Sequence, residues 1–66
     1  MTITVNGERR EVDAGATLAS LLDAYGVRRD GTAVALNDEV VARARHPETT
    51  LRDGDHLEII VAVAGG

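Results

Sequence analysis

Hydrophobic and polar residues alternate over several short segments of the chain, which is the pattern of half-buried β-strands. In the first segment, Met1–Val5, every second residue is apolar and the residues between them are threonines. The Asn6-Gly7 pair that follows is typical of a type I′ hairpin turn, because both turn positions need a positive φ. The return segment, Glu8–Val12, is mostly charged. We therefore predict an exposed edge strand that its charges protect from mispairing.

A single helix is predicted after a loop at Asp13–Ala16. Thr17 is the expected N-cap, because its hydroxyl can accept a hydrogen bond from a free backbone N–H of the first helical turn. Gly26 lies where a left-handed residue ends a helix, which would bring Val27 against Leu22 in a Schellman motif. Apolar residues recur at i, i+3, i+4 and i+7 and form one stripe for packing on a sheet. The members of this stripe are Leu18, Leu21, Leu22 and Tyr25.

Two short strands are predicted in the second half of the chain, before an irregular segment. They are Thr32–Leu36 and Glu39–Ala42, joined by a turn at Asn37-Asp38. The pattern of Arg43–Thr50 is irregular, and Pro47 cannot donate a backbone hydrogen bond there. Leu51 is therefore the lone apolar anchor expected in this part of the chain.

The last strand, predicted at His56–Val63, is the most apolar segment and follows a tight turn at Asp53-Gly54-Asp55. Ile60 lies on the face opposite Ile59, so we expect burial on both faces and a central position in the sheet. A right-handed crossover through the helix would pair the first and last strands in parallel. One helix on one face of a mixed sheet of four to five strands is a two-layer α+β fold.

The composition of the chain argues against several classes of function. The 66 residues are enough for one small domain. The chain has no cysteine, which excludes disulfides, thiolate metal sites and a cysteine nucleophile. A net charge of −4 and a single aromatic residue, Tyr25, argue against nucleic-acid partners. No apolar run approaches the roughly 20 residues that span a bilayer, and no leader is recognisable, so we expect no membrane partner and a cytoplasmic location.

The side chains that could carry chemistry lack the partners that catalysis or metal binding requires. His46 and His56 are ten residues apart, without supporting carboxylate or cysteine spacing for a metal. Asp53-Gly54-Asp55 resembles part of a calcium loop, but its other ligands are missing and turn chemistry is favoured. We therefore predict no catalytic residues, no metal and no bound cofactor: the chain is not expected to be an enzyme.

The final residues are the remaining candidate. We predict a domain at residues 1–63 and a flexible tail at 64–66, ending on a free carboxylate at Gly66. A carboxylate is a poor electrophile and reacts only after activation, most simply as an acyl adenylate made from ATP. The acyl carbon must then enter a partner's active site, so a thin arm of Ala64 and Gly65 suits it. The alternative is that the glycines are an ordinary flexible chain end.

Taken in order, these segments resemble the ThiS family, the sulfur carriers of thiamine biosynthesis, over essentially the whole chain. The resemblance implies a ubiquitin-like β-grasp fold. The residues that carry it are Val5-Asn6-Gly7-Glu8, Thr17-Leu18, Leu21-Leu22, Val34-Ala35-Leu36-Asn37, Val40-Val41, Leu51, Asp53-Gly54-Asp55 and Val63-Ala64-Gly65-Gly66.

The resemblance also implies a reaction cycle and its partners. A ThiF-type adenylyltransferase would adenylate the carboxylate of Gly66, with ATP and magnesium held by that enzyme. A cysteine desulfurase relay would convert the adenylate to a thiocarboxylate. A ThiG-type thiazole synthase would then take the sulfur for the thiazole of thiamine. We expect the sheet face opposite the helix to dock the adenylyltransferase, with Asp53, Asp55 and Glu58 steering the encounter.

Two comparisons within the superfamily bear on this interpretation. Family members often carry an aromatic residue in the loop or last strand, where this chain has His46 and Ile60; the difference concerns the partner-contact surface. Molybdopterin-synthase small subunits (MoaD type) also end in Gly-Gly but tend to be longer, with prolines before the tail. Val61-Ala62-Val63 and the short length favour the thiamine branch. The alternatives are a carrier of the molybdopterin or cysteine pathway and a ubiquitin-like protein modifier or interaction module.

Overall fold

The structure is a computed structural model that describes residues 1–28 and 31–61. The sheet order within them is β2-β1-β5-β3-β4; β1 and β5 are parallel, and the other neighbours are antiparallel. This is the predicted two-layer α+β architecture. The elements are β1 (Thr2–Val5), β2 (Glu8–Glu11), α1 (Leu18–Ala24), β3 (Thr32–Leu36), β4 (Glu39–Val41), a 3₁₀-helix (Arg43–Glu48) and β5 (His56–Val61).

The predicted central position of the last strand is confirmed. β5 lies between β1 and β3, with Val5 opposite Leu57 in the parallel pair and Val61 opposite Thr32 in the antiparallel pair. The prediction that both faces of this strand are buried is wrong. Leu57, on the helix side, is 1% exposed, whereas Ile60, on the other side, is 60% exposed. The reason is that α1 covers one face, and no element of the described chain covers the other.

The core lies between α1 and the helix-facing side of the sheet. The stripe predicted for the helix is confirmed at its first three positions, but Tyr25 is the C-cap residue and is 40% exposed. The aromatic ring therefore lies at the edge of the core. The buried apolar cluster consists of Ile3, Val5, Leu18, Leu21, Leu22, Val34, Leu51 and Leu57.

Both ends of α1 are capped as the sequence predicts. The hydroxyl of Thr17 accepts the N–H of Ser20 at 3.1 Å, and the hydroxyl of Ser20 accepts the N–H of Thr17 at 2.9 Å. At the other end Gly26 has φ 70°, and the N–H of Val27 donates to the carbonyl of Leu22 at 2.9 Å. This is the Schellman arrangement. Such caps matter in a helix of seven residues, because an isolated helix so short is unstable in water.

The segment after β4 differs from the prediction in two ways. Arg43–Thr50 is not irregular: residues Arg43–Glu48 form a 3₁₀-helix that includes Pro47. Leu51 is the buried apolar residue of this part of the chain, as predicted, but a polar side chain that the prediction did not include, His46, is also buried, at 1% exposed. Its Nε2 lies 3.2 Å from the carbonyl oxygen at the end of β4, and its Nδ1 is buried with no hydrogen-bond partner among the described residues. The histidine is a core residue.

No helix among residues 1–28 and 31–61 is long and apolar enough to cross a bilayer.

The left-handed conformation of Gly26 generates the first prediction. A Cβ at this position would meet no atom within 4 Å, so Gly26→Ala should destabilise the protein through its backbone conformation alone. We expect a loss of about 1 kcal/mol in the free energy of unfolding, measured by urea denaturation. Gly26→Asn is the control and should lose less, because asparagine tolerates this conformation. Equal stability of wild type and the alanine variant would contradict the Schellman ending.

Candidate functional site

The predicted site residues Ala64, Gly65 and Gly66 lie outside the described residues, and so does the predicted boundary between domain and tail. The described chain ends at Val61, the last residue of β5. The structure therefore describes the platform that precedes the tail. Its relevant parts are the end of β5, the strands beside it and the open face of the sheet.

The support of β5 changes along its length. At its start the strand has a neighbour on each side, with Leu57 opposite Val5 of β1 and Leu36 of β3. The described pairing with β1 stops there, because the chain turns at Asn6-Gly7. Pairing with β3 continues to Val61. At Val61, the last described residue, the strand thus has one neighbouring strand beside it.

An exposed group of apolar side chains lies on the open face near the end of β5. Ala33 is opposite Ile60, and Ala35 is opposite Val40, so the four side chains share one face of the sheet. Val40 is 78% exposed and Ile60 is 60% exposed. The two alanines between them keep the surface shallow. We call Ala33, Ala35, Val40 and Ile60 the apolar patch.

The three acidic residues expected to steer a partner have different roles in the structure. Asp53 accepts the N–H of Thr2 at 2.8 Å. Asp55 accepts the N–H of Arg52 at 2.7 Å and a side-chain N–H of Asn37 at 3.0 Å. Both aspartates therefore hold the turn that leads into β5, as the turn prediction for Asp53-Gly54-Asp55 requires.

Glu58 is the acid that adjoins the apolar patch. It is exposed, and it lies opposite Ala35 in the β3–β5 pair. Glu58 therefore borders the patch, whereas the two aspartates form hydrogen bonds at the start of the strand.

Within residues 1–28 and 31–61, no group of three histidine or carboxylate side chains could hold a metal ion. A groove of about 540 Å³ lies between the first hairpin and α1, with Val12, Leu21 and Tyr25 in its lining. It lies on the helix side of the sheet, whereas the apolar patch lies on the open face.

Comparison with known proteins identifies the family. The sequence model of the ThiS family matches residues 3–66, which includes the helix and all of the strands except the first residue of β1. The chain belongs to the ThiS family. The crystal structure of a thiamine biosynthesis protein (ThiS) from Geobacter metallireducens is 36% identical, with a TM-score of 0.85 over 100% of both chains. The ubiquitin-like β-grasp fold expected from the sequence is therefore confirmed.

Relatives of known function agree with the ThiS assignment. A sulfur carrier protein ThiS of Thermus thermophilus is 39% identical over 64 residues, covering 97% of this chain and 98% of that protein. A thiazole synthase of Paramagnetospirillum magneticum is 36% identical over 66 residues; the chain spans only 20% of that protein's length. The assignment as a ThiS-type sulfur carrier of thiamine biosynthesis is confirmed.

The different roles of the acidic residues generate the second prediction. Asp55→Ala removes the acceptor of two hydrogen bonds and should lower the free energy of unfolding by about 1–2 kcal/mol. Glu58→Ala is the matched control and should change stability by less than about 0.5 kcal/mol, as exposed substitutions usually do. Urea denaturation of the two variants tests this difference. Equal losses would show that Asp55 does not hold the turn.

Proposed function

We propose that the chain carries sulfur as a thiocarboxylate on Gly66. The observation that supports this most directly is the position of β5. The strand is paired on both sides at its start, runs through the centre of the sheet and leads directly towards the tail. A partner enzyme can therefore hold a rigid domain while the tail enters its active site.

The proposed chemistry has two steps at the acyl carbon of Gly66. A carboxylate oxygen attacks the α-phosphorus of ATP, and pyrophosphate leaves. A persulfide sulfur, supplied by a cysteine desulfurase relay, then attacks the acyl carbon, and AMP leaves. The product is an acyl disulfide. A thiol cleaves this disulfide reductively and releases the thiocarboxylate. ATP and magnesium belong to a ThiF-type adenylyltransferase, so the chain acts as a co-substrate and binds no cofactor of its own.

A ThiG-type thiazole synthase is the proposed acceptor of the sulfur. The thiazole synthase of P. magneticum supports this, because a segment of that protein matches the whole of this chain. A carrier and a synthase must bind each other in every reaction cycle. Joining them in one polypeptide favours this binding, because it raises the effective concentration of the carrier near the synthase. The cycle is proposed to take place in the cytoplasm.

The apolar patch is the proposed docking surface for the adenylyltransferase. Val40 and Ile60 supply exposed apolar area, and the alanines between them allow close approach of a partner's side chains. Glu58 at the border of the patch would favour a basic partner surface and increase the association rate. The patch includes Ile60 on β5, so docking there places the tail next to the partner.

The role of Gly66 generates the third prediction. Incubation with the cognate adenylyltransferase, ATP and a sulfur source should raise the mass of the protein by the difference between sulfur and oxygen. Deleting Gly66, or adding one alanine after it, should abolish this increase, because the terminal carboxylate is then displaced by one residue from the reacting position in the active site. Intact-protein mass spectrometry measures the change.

Both tail variants should keep the thermal stability of the wild type, which serves as the control for folding. Sulfur loading of either variant at the wild-type rate would show that another group accepts the sulfur. Failure to load the wild type with a competent cognate enzyme would reject the proposed function.

The apolar patch generates the fourth prediction. Ile60→Ser should raise the dissociation constant for the adenylyltransferase about tenfold, as expected for an apolar contact at the centre of an interface. Tyr25→Ser is the matched control: Tyr25 is also exposed, at 40%, but lies on the helix side. Isothermal titration calorimetry with the cognate enzyme measures both. Similar affinities of the two variants would place the docking surface elsewhere.

A further inference from the structure

Two asparagines in the hairpin turns bond to β5 through their side chains. Asn6 and Asn37 both have φ 51°, a conformation that asparagine tolerates better than most residues. Asn37 accepts the N–H of His56, at the first residue of β5, at 3.0 Å. Asn6 accepts the N–H of Ile59, near the last residue of β5, at 2.8 Å. The two turns therefore bond to the first residue and to the second half of the same strand.

Asn6 continues the parallel ladder after the backbone of β1 has turned away. Its own N–H donates to the carbonyl of Leu57 at 2.9 Å, as the next residue of a parallel strand would. The next bond in a regular ladder would join its backbone carbonyl to the N–H of Ile59. In this structure the side-chain oxygen of Asn6 accepts that bond, and its side-chain nitrogen lies 3.4 Å from the carbonyl oxygen of Ile59.

The position of this contact connects it to the tail. Ile59 is followed by Ile60 of the apolar patch and by Val61, the last described residue. Within the described residues β1 supplies no paired residue beyond Leu57, so Asn6 holds the β1 side of the strand at Ile59, two residues before the last described residue. Without Asn6, the end of β5 would depend on its antiparallel partner β3 alone.

We propose that Asn6 is a positioning residue for sulfur loading, which keeps the end of β5 in the sheet so that Ile60 and the tail are presented together. This inference rests on the proposed function. When Asn6 is replaced, the end of β5 separates from the sheet for part of the time. The adenylyltransferase then binds only the fraction of molecules in which the strand is in place, and the apparent affinity falls by that fraction.

The expected effect is therefore on KM and not on kcat. Asn6→Gly keeps the positive φ that the turn needs but removes the side-chain bonds to Ile59. Loss of contacts of this kind should raise the KM of the adenylyltransferase for the carrier about five- to tenfold. The kcat should stay at the wild-type value, because the bound state is the same. ATP–pyrophosphate exchange at varied carrier concentrations measures both constants.

Asn37→Gly is the matched control. It makes the same change in a turn of the same conformation, but the lost bonds are at the start of β5, so KM should stay within about twofold of wild type. Asn6→Asp keeps an oxygen acceptor for the N–H of Ile59 and should restore part of the lost affinity. Hydrogen exchange at the Ile59 amide gives a readout that needs no enzyme: it should be faster in Asn6→Gly than in Asn37→Gly.

The outcomes separate this inference from the proposed function. If the wild type is loaded but Asn6→Gly has an unchanged KM, Asn6 is not a positioning residue. Equal increases in KM for Asn6→Gly and Asn37→Gly, or no recovery in Asn6→Asp, would also overturn the inference. If the wild type itself is not loaded, the proposed function fails, whereas faster exchange at Ile59 would still support the structural role of Asn6.

Discussion

Parallel pairing of β1 with β5 requires the chain to cross from one end of the sheet to the other between the two strands, and α1 lies in that connection. The crossover places the helix on one face and brings the last strand into the middle of the sheet, with Val5 opposite Leu57. Both residues are buried beneath the helix, so strand pairing and core formation depend on each other. The final strand can serve as a rigid base for the tail because the first strand and the helix hold it from different directions.

The unequal covering of the two sheet faces follows from the size of the chain. A single helix of seven residues covers one face of a five-stranded sheet, and a domain this small buries only about 60% of its unfolded surface. The open face is polar near the first hairpin, where Thr4 lies opposite Arg9, and apolar near β4. A protein that binds this face would do so in one orientation, because its own apolar surface is stabilised only against the apolar half.

Features set by local chemistry were predictable from the sequence. Asn6-Gly7, Thr17 and Gly26 each form the turn or cap that their residue types favour, because the determining atoms lie within a few positions along the chain. The central position of the last strand followed from its apolar character, and its parallel pairing with the first strand followed from the handedness rule for crossovers. The family resemblance supplied the sulfur chemistry, which no pattern of residues indicates.

The burial and hydrogen bonding of individual side chains that contact distant segments were not predictable. Burial of His46 depends on the packing of the 3₁₀-helix against α1, and the segment carries no periodic signal. Exposure of Ile60 could not be read from its apolar character, because it depends on how many faces the rest of the chain can cover. The hydrogen bonds of Asn6 to Ile59 join residues 53 positions apart, and their presence requires the complete sheet.

The contact between Asn6 and Ile59 also bears on the rate at which Asn6 deamidates. An Asn-Gly pair is prone to deamidation, because the small glycine lets its nitrogen attack the side-chain carbonyl and form a succinimide. Here the amide oxygen of Asn6 is held by the N–H of Ile59, so the side chain must leave the sheet before it can cyclise. We therefore expect deamidation of Asn6 to be slower in the folded protein than in the unfolded chain. Deamidation would place a negative charge next to the carbonyl oxygen of Ile59. The resulting repulsion would weaken the contact between Asn6 and β5, the strand that precedes the tail.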